Sequence, residues 1–300
     1  MVLYVFLLFP LVLLVIGYYF ARVAVYPKVY PYQDTYQNEV KDGKIVPAEF
    51  ERWTKEEVSI RSPHGYDLHG FYFPCGDSHK TVVIVHGITL NLFASVKYMP
   101  IFRSRGFNVL IYDQRTHGRS GGANCTFGFF EKYDLKAVID WALARLGPGG
   151  RVGTHGESLG AATVLQHAAL DPRLSFVIAD CPYSDLRPLF AYRIRQDYHL
   201  PAFPLLESAS LMSFLLTGMR FGDVRPITAI RNLTTPTLFV HGAQDDFIPT
   251  QMSVDLARAK QNGLSRLYLA PNARHAESYW NNREAYDRVV GEFLTEIGLL

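Results

Sequence analysis

The chain has 300 residues, 30 Lys and Arg against 28 Asp and Glu, and a formal net charge of +2. With 48% hydrophobic residues it can bury one large core, which suits a single α/β domain. A near-neutral balance with no basic run and no basic–aromatic interleaving argues against nucleic acid as a partner, and three scattered cysteines, Cys75, Cys125 and Cys181, argue against a disulfide framework.

In chain order, Val2–Phe20 holds no charged residue over nineteen positions, close to the roughly 20 apolar residues that cross a bilayer core. No Lys or Arg precedes this run and Ala21-Arg22-Val23-Ala24 is a weak cleavage match, so residues 1–24 read as a retained transmembrane anchor rather than a signal peptide. Arg22, Lys28, Lys41 and Lys44 follow it, which by the positive-inside rule puts the remainder of a single-pass protein in the cytoplasm. Residues 25–54 read as a polar, Tyr-rich linker. Val58–Arg61 and Leu68–Phe73, split by Ser62-Pro63-His64-Gly65, predict an antiparallel hairpin.

Short apolar runs at Thr81–Val85, Val109–Tyr112, Val152–Thr154, Phe176–Ala179, Leu238–Val240 and Leu267–Leu269 predict buried strands of a mostly parallel sheet. Between them, Leu135, Val138, Ile139, Ala142, Leu143 and Leu146 keep the spacing of one helical face, as do Tyr286, Val289, Val290, Phe293, Leu294 and Ile297. The core is therefore expected over 55–183 and 227–300. Residues 184–226 are too long for an ordinary connection and hold helix-like runs, Leu186–Gln196 and Pro204–Met219, which predicts a helical cap over the site. Some of its apolar side chains are expected to form an acyl pocket, the others to pack the cap down.

The chemistry is expected at Gly156-Glu157-Ser158-Leu159-Gly160, between a strand-like run and the helix-like run Ala161–Leu170. In such a G-x-S-x-G turn the backbone is strained, the glycines remove clashing side chains, and the Ser158 hydroxyl is held at a helix N-terminus. Where this motif carries a nucleophile, an acid and then a histidine follow it. His275 is the one histidine placed after a late acid, which makes it the candidate base, whereas His241 at a strand end reads as structural. Asp245 is the candidate acid, being better placed than its neighbour Asp246 to turn back toward His275; Asp180, one strand earlier, is a third candidate.

The segments VIVHGITLN (83–91), NVLIYDQRTHGRSGG (108–122), GTHGESLGAAT (153–163), VHGAQDDFIP (240–249) and APNARHAESY (270–279) resemble the α/β-hydrolase superfamily. They are most similar to its serine-aminopeptidase-like branch of small, often membrane-anchored bacterial hydrolases. The resemblance implies Ser158 as nucleophile, Asp245 as acid, His275 as base, and the backbone N–H groups of Ile88 and Leu159 as oxyanion hole. One departure is Thr116, which stands where such chains read glycine in D-x-R-G-H-G. That loop is expected to turn differently.

No H-E-x-x-H or C-x-x-C pair and no phosphate loop is present, so neither metal nor cofactor is expected, and His86 and His155 read as supporting hydrogen-bonding residues. The expectation is a membrane-anchored serine hydrolase that cleaves carboxylic esters through an acyl-enzyme, with a small-molecule ester or acyl compound as substrate. An amidase, aminopeptidase or thioesterase on the same triad is the enzymatic alternative, and a non-catalytic hydrolase-fold binding protein the alternative of another class. The oligomeric state is not encoded in any of these features. Every catalytic motif lies beyond Thr81, so removal of 1–24 is expected to leave a complete catalytic domain.

Overall fold

The computed structural model describes residues 2–300, with side chains from Pro10 onward. Helix α1 covers Val2–Val25, followed by α2 (Tyr32–Lys41) and α3 (Pro47–Arg52). Among the described residues no helix is long and apolar enough to cross a membrane. The expected span, Val2–Phe20, falls partly on side chains before Pro10, outside the described ones.

Eight strands form one sheet: β1 (Glu56–Arg61), β2 (Asp67–Phe73), β3 (Lys80–Val85), β4 (Asn108–Tyr112), β5 (Arg151–Glu157), β6 (Leu174–Asp180), β7 (Thr237–Gly242) and β8 (Ser265–Ala270). Their spatial order is β1-β2-β4-β3-β5-β6-β7-β8. The predicted hairpin is β1–β2, β2 runs antiparallel to β4, and every pairing from β4 to β8 is parallel. The connections carry α4 (Met99–Arg103), α5 (Glu131–Leu146), α6 (Leu159–Ala168), α7 (Leu186–Tyr198), α8 (Leu205–Thr217), α9 (Pro226–Ala229), α10 (Gln251–Ala259), α11 (Ser278–Asn281) and α12 (Arg283–Glu296).

Parallel strands buried on both faces need apolar side chains on both, and β3 and β4 are apolar and buried along nearly their whole length. One face packs Phe102, Phe107, Phe176, Tyr286 and Phe293; the other packs Leu135, Val138, Ile139, Leu165 and Phe239. The helical spacings in α5 and α12 thus bury the faces they predict. β8 differs from the expected buried strand, because it is the edge of the sheet and leaves Leu267 and Leu269 38% and 40% exposed.

The stretch read as a linker is structured instead. Ile45 and Phe50 enter the main core, Glu39 on α2 is buried, and Tyr30 N–H donates to Thr89 O at 2.9 Å. Its polarity hid the few apolar residues that dock it. In the region expected as a cap, α7 and α8 share a third apolar cluster with Val25, Phe127 and Leu159.

The sheet and α6 meet without spare room. A Cβ on Gly160 would lie 2.1 Å from Val85 O, and one on Gly156 would lie 2.4 Å from the Gly160 backbone. Gly160→Ala therefore pushes α6 off β3, and such overpacking costs about 1–3 kcal/mol. Chemical denaturation checks this; a variant of wild-type stability would show that α6 can shift freely.

Candidate active site

Ser158 closes β5 and precedes α6 with φ 56° and ψ −113°, a left-handed conformation that is strained for a side chain bearing Cβ. Its N–H is fixed by Asp180 O at 2.8 Å, so the strained turn is held by the neighbouring strand. The side chain is nearly buried and points to His275, whose Nε2 lies 2.9 Å from Ser158 Oγ. On the other side of the ring, Nδ1 lies 2.8 Å from Asp245 Oδ2.

Asp245 is the better-satisfied of the two adjacent acids. Its Oδ1 accepts from Phe247 N–H and Ile248 N–H, each at 2.9 Å, and its Oδ2 faces His275 and, at 3.0 Å, His241 Nε2. Burial opposes its charge, but hydrogen bonds from His241 and His275 outweigh burial and hold the carboxyl well below the usual carboxylate range. Asp246 is exposed, and its carbonyl accepts from Tyr192 Oη at 3.0 Å. Asp180 turns elsewhere, accepting from Ser278 Oγ at 2.8 Å.

His241 is the residue whose part sequence reasoning underrated. Because Ile248 O at 2.9 Å can only accept, Nε2 carries the proton and also reaches Asp245, while Nδ1 accepts from Ser253 Oγ at 2.7 Å. The i, i+4 spacing to Asp245 was visible, but the Ser253 contact that fixes the ring comes from α10.

The loop after β3 carries Ile88 beside Ser158 and Leu159 in one cavity wall. His86 locks its start: Nδ1 donates to Gly87 O at 2.6 Å and Nε2 accepts from Gln114 N–H at 2.9 Å. Burial and the nearby His117 lower its pKa to about 3, which keeps it neutral and able to accept. Gln114 Nε2 returns a bond to His86 O at 2.6 Å, and Thr89 N–H donates to His117 Nε2 at 3.2 Å. The loop after β4 therefore clamps the loop that presents Ile88. Thr116, where the resembling chains read glycine, adopts φ 65°, a left-handed conformation that glycine takes at no steric cost. His155, also expected to support the site, meets Tyr286 Oη at 2.8 Å inside the core.

Two cavities border the catalytic pair, one lined by Ser158 and the other by His275. The first, about 240 Å³, is mostly apolar, takes Ser158 and Ile88 into its wall and is lined on its other sides by side chains of α1, α7 and α8. Its wall includes Phe20 and Ala24, so residues of the segment expected to serve as an anchor also line the site. The second, about 440 Å³, borders His275 and is charged, with Glu39, Asp42, Lys44 and Glu277 around it.

Beneath lies a buried charge cluster. Lys97 Nζ is 2.5 Å from Glu157 Oε2, and the Tyr98 hydroxyl lies 2.5 Å from Glu157 and 3.2 Å from Asp180. Tyr98 has one proton for two carboxylates, so its second contact is favourable only when Asp180 holds a proton. Burial and the neighbouring Glu157 charge accordingly push the Asp180 pKa up to about 6.

Among the described residues, Cys181, Asp245 and His275 bring a thiol, a carboxylate and a ring nitrogen within 4.8 Å of one another. Burial raises the Cys181 thiol well above its ordinary pKa, whereas metals bind the thiolate, and Asp245 and His275 already bond each other. The cluster fits the Ser–His–Asp arrangement better than a metal.

Residues 10–213 match the model of the X-Pro dipeptidyl-peptidase (S15 family). The chain belongs to that family. It is 39% identical over 281 residues to the uncharacterized protein YqkD of Bacillus subtilis (strain 168), covering 93% of this chain and 92% of that one. It is also 26% identical over 237 residues to the uncharacterized protein YfhR of Escherichia coli (strain K12), covering 76% of this chain and 75% of that one. The fold of the Pyrococcus furiosus esterase Pf2001 superimposes with a TM-score of 0.68 at 22% identity, over 85% of this chain and 96% of that one. The S15-family chain is thus a serine hydrolase of the α/β-hydrolase fold.

Two outcomes follow from the buried charges. Lys97→Met leaves Glu157 unpaired in the core, which costs about 3–5 kcal/mol; a denaturation midpoint equal to wild type would contradict the ion pair. Asp180 has a folded pKa raised above its unfolded value, so its stabilising contribution is present at acid pH and is lost as pH rises through about 6. Asp180→Asn removes that titration, and its Tm relative to wild type should rise between about pH 4.5 and about pH 7.5. A difference independent of pH would place the titration elsewhere.

Proposed function

We propose that this serine hydrolase cleaves carboxylic esters through an acyl-enzyme on Ser158, with His275 as general base and Asp245 as the acid that orients it. The observation that carries this is the unbroken chain of contacts from Asp245 Oδ2 through both ring nitrogens of His275 to Ser158 Oγ. Nδ1 must hold a proton to bond the ionised Asp245, which leaves Nε2 free to take the serine proton. Ser158 Oγ then attacks the ester carbonyl, and the N–H groups of Ile88 and Leu159 are proposed to bind the oxyanion. Losing one such donor costs about 3–4 kcal/mol of transition-state stabilisation. His275 returns its proton to the leaving alcohol, and water repeats the sequence to release the acid and free Ser158.

The two cavities support a direction for the substrate. An acyl group suits the apolar cavity at Ser158, while a polar leaving group suits the charged cavity at His275, from which it receives its proton. The name of Pf2001, an esterase, favours an oxygen leaving group. Membrane attachment is part of the proposal: the uncharged run Val2–Phe20 and the cations after it support an anchor with the catalytic domain on the cytoplasmic side.

Ser158→Ala should fold normally and lose turnover by a factor on the order of 10⁶, as in the best-studied triad, and a fluorophosphonate should label wild type alone. Labelling of the Ala variant would move the nucleophile elsewhere. Asp245→Asn should lower kcat about 10⁴-fold by analogy with a serine protease, and Asp246→Asn far less. Steady-state kinetics on the pair decides, and the reverse ranking would transfer the acid role to Asp246.

A further inference from the structure

We infer that the last turns of α1 are part of the acyl-binding site, with Phe20 and Ala24 setting how long an acyl chain the enzyme accepts, so that its substrates are esters of long chains held in a lipid layer. This rests on the ester-hydrolase reading above and names the substrate class for it.

A helix that served only as a tether would need no fitted contact with the catalytic body, yet α1 is fitted closely. A Cβ on Gly17 would lie 2.1 Å from Ser208 Oγ on α8, and that hydroxyl donates to Leu13 O at 2.9 Å. Cys125 N–H donates to Val25 O at 2.8 Å, and the Phe20 ring packs on Tyr198 of α7 at 4.9 Å between centroids. Ala21 and Val25 are fully buried. These contacts fix the rotation of α1 so that Phe20 and Ala24, one turn apart, face the same apolar cavity as Ser158.

The opposite side of the same two helices is also apolar. Val15 on α1 and Leu215 on α8 are 62% and 67% exposed, and Leu11 is 57% exposed. Water disfavours such a surface, whereas the uncharged run of α1 continues it into a stretch suited to lipid. An ester whose chain already lies in lipid meets apolar surface and then an apolar cavity, with its carbonyl left at Ser158. Short-chain esters fill the carbonyl end only and gain nothing from α1.

The test uses the full chain in detergent and compares kcat/KM for p-nitrophenyl octanoate and p-nitrophenyl acetate. Ala24→Trp should reduce the octanoate-to-acetate ratio on the order of tenfold or more, since each methylene lost from an apolar pocket counts for about 10-fold or more. Phe20→Ala, which removes volume and is expected to fold where the tryptophan variant does not, should shift the optimum toward longer chains. Ratios unchanged in both folded variants would show that α1 does not touch the acyl chain. Labelling of Ser158 by short-chain and long-chain alkyl fluorophosphonates separates this inference from the ester reading, because it needs no ester leaving group. If esters are not turned over but the long-chain probe still labels faster and Ala24→Trp abolishes that preference, the acyl site on α1 stands and the ester assignment falls. Equal labelling by both probes in wild type would overturn the acyl site itself.

Discussion

The constraint on which the rest of this molecule depends is the close approach of α6 to β3. Two strands and a helix can present a serine at their junction only if the backbone reverses within one residue, and Ser158 does so at φ 56°. The reversal is affordable only because Gly156 and Gly160 let the two backbones come within contact of each other and of Val85 O. A side chain at either position would lift the helix, and the hydroxyl, the loop carrying Ile88 and the alignment with His275 would move together. Strain at a functional residue persists where its surroundings over-determine it, and here the bond from Ser158 N–H to Asp180 O does part of that.

Around this junction, the molecule positions groups by exhausting their hydrogen-bonding capacity. Asp245 has four donors for two oxygens, two from its own loop and two from imidazoles. Its orientation is therefore fixed before any substrate arrives. His86 and Gln114 exchange bonds so that the loop after β3 and the loop after β4 behave as one body. Below them the Lys97–Glu157 pair and Asp180 put charge into the core, which is weak evidence for stability because desolvation opposes it. Tyr98 touches both Glu157 at the end of β5 and Asp180 at the end of β6, which ties together the two strand ends where the serine and its support emerge.

Much of the site was legible in the sequence because its signals are local. Glycine spacing around Ser158, an Asp-Asp pair after an apolar run and a late histidine each sit within a few residues of a strand end. The strands of the parallel sheet were legible for the same reason, their apolar runs needing no partner to be recognised. Strand order was not, since β4 lies between β2 and β3 through pairings between residues far apart in the chain, such as Gly70 with Tyr112 and Thr81 with Asn108. The edge position of β8 was hidden because Leu267 and Leu269 read as buried whichever place the strand takes in the sheet. His241 was read as structural for want of Ser253, and residues 25–54 as a linker because their fully buried apolar residues, Val25, Ile45 and Phe50, are too few and too far apart to make a periodic pattern.

The wall that Phe20 and Ala24 provide bears on how this chain can change over evolutionary time. Segments that only attach a domain drift freely, since many apolar sequences serve equally well and one can be exchanged for another between proteins. Here the same helix is read from two sides, and Gly17, Phe20 and Ala24 answer to the cap and the cavity as well as to whatever lies outside. Substitutions in that stretch should therefore track substitutions in α7 and α8 across relatives. An apolar helix transplanted from another protein would lose the fitted contacts with α7 and α8 and, with them, the shape of this wall.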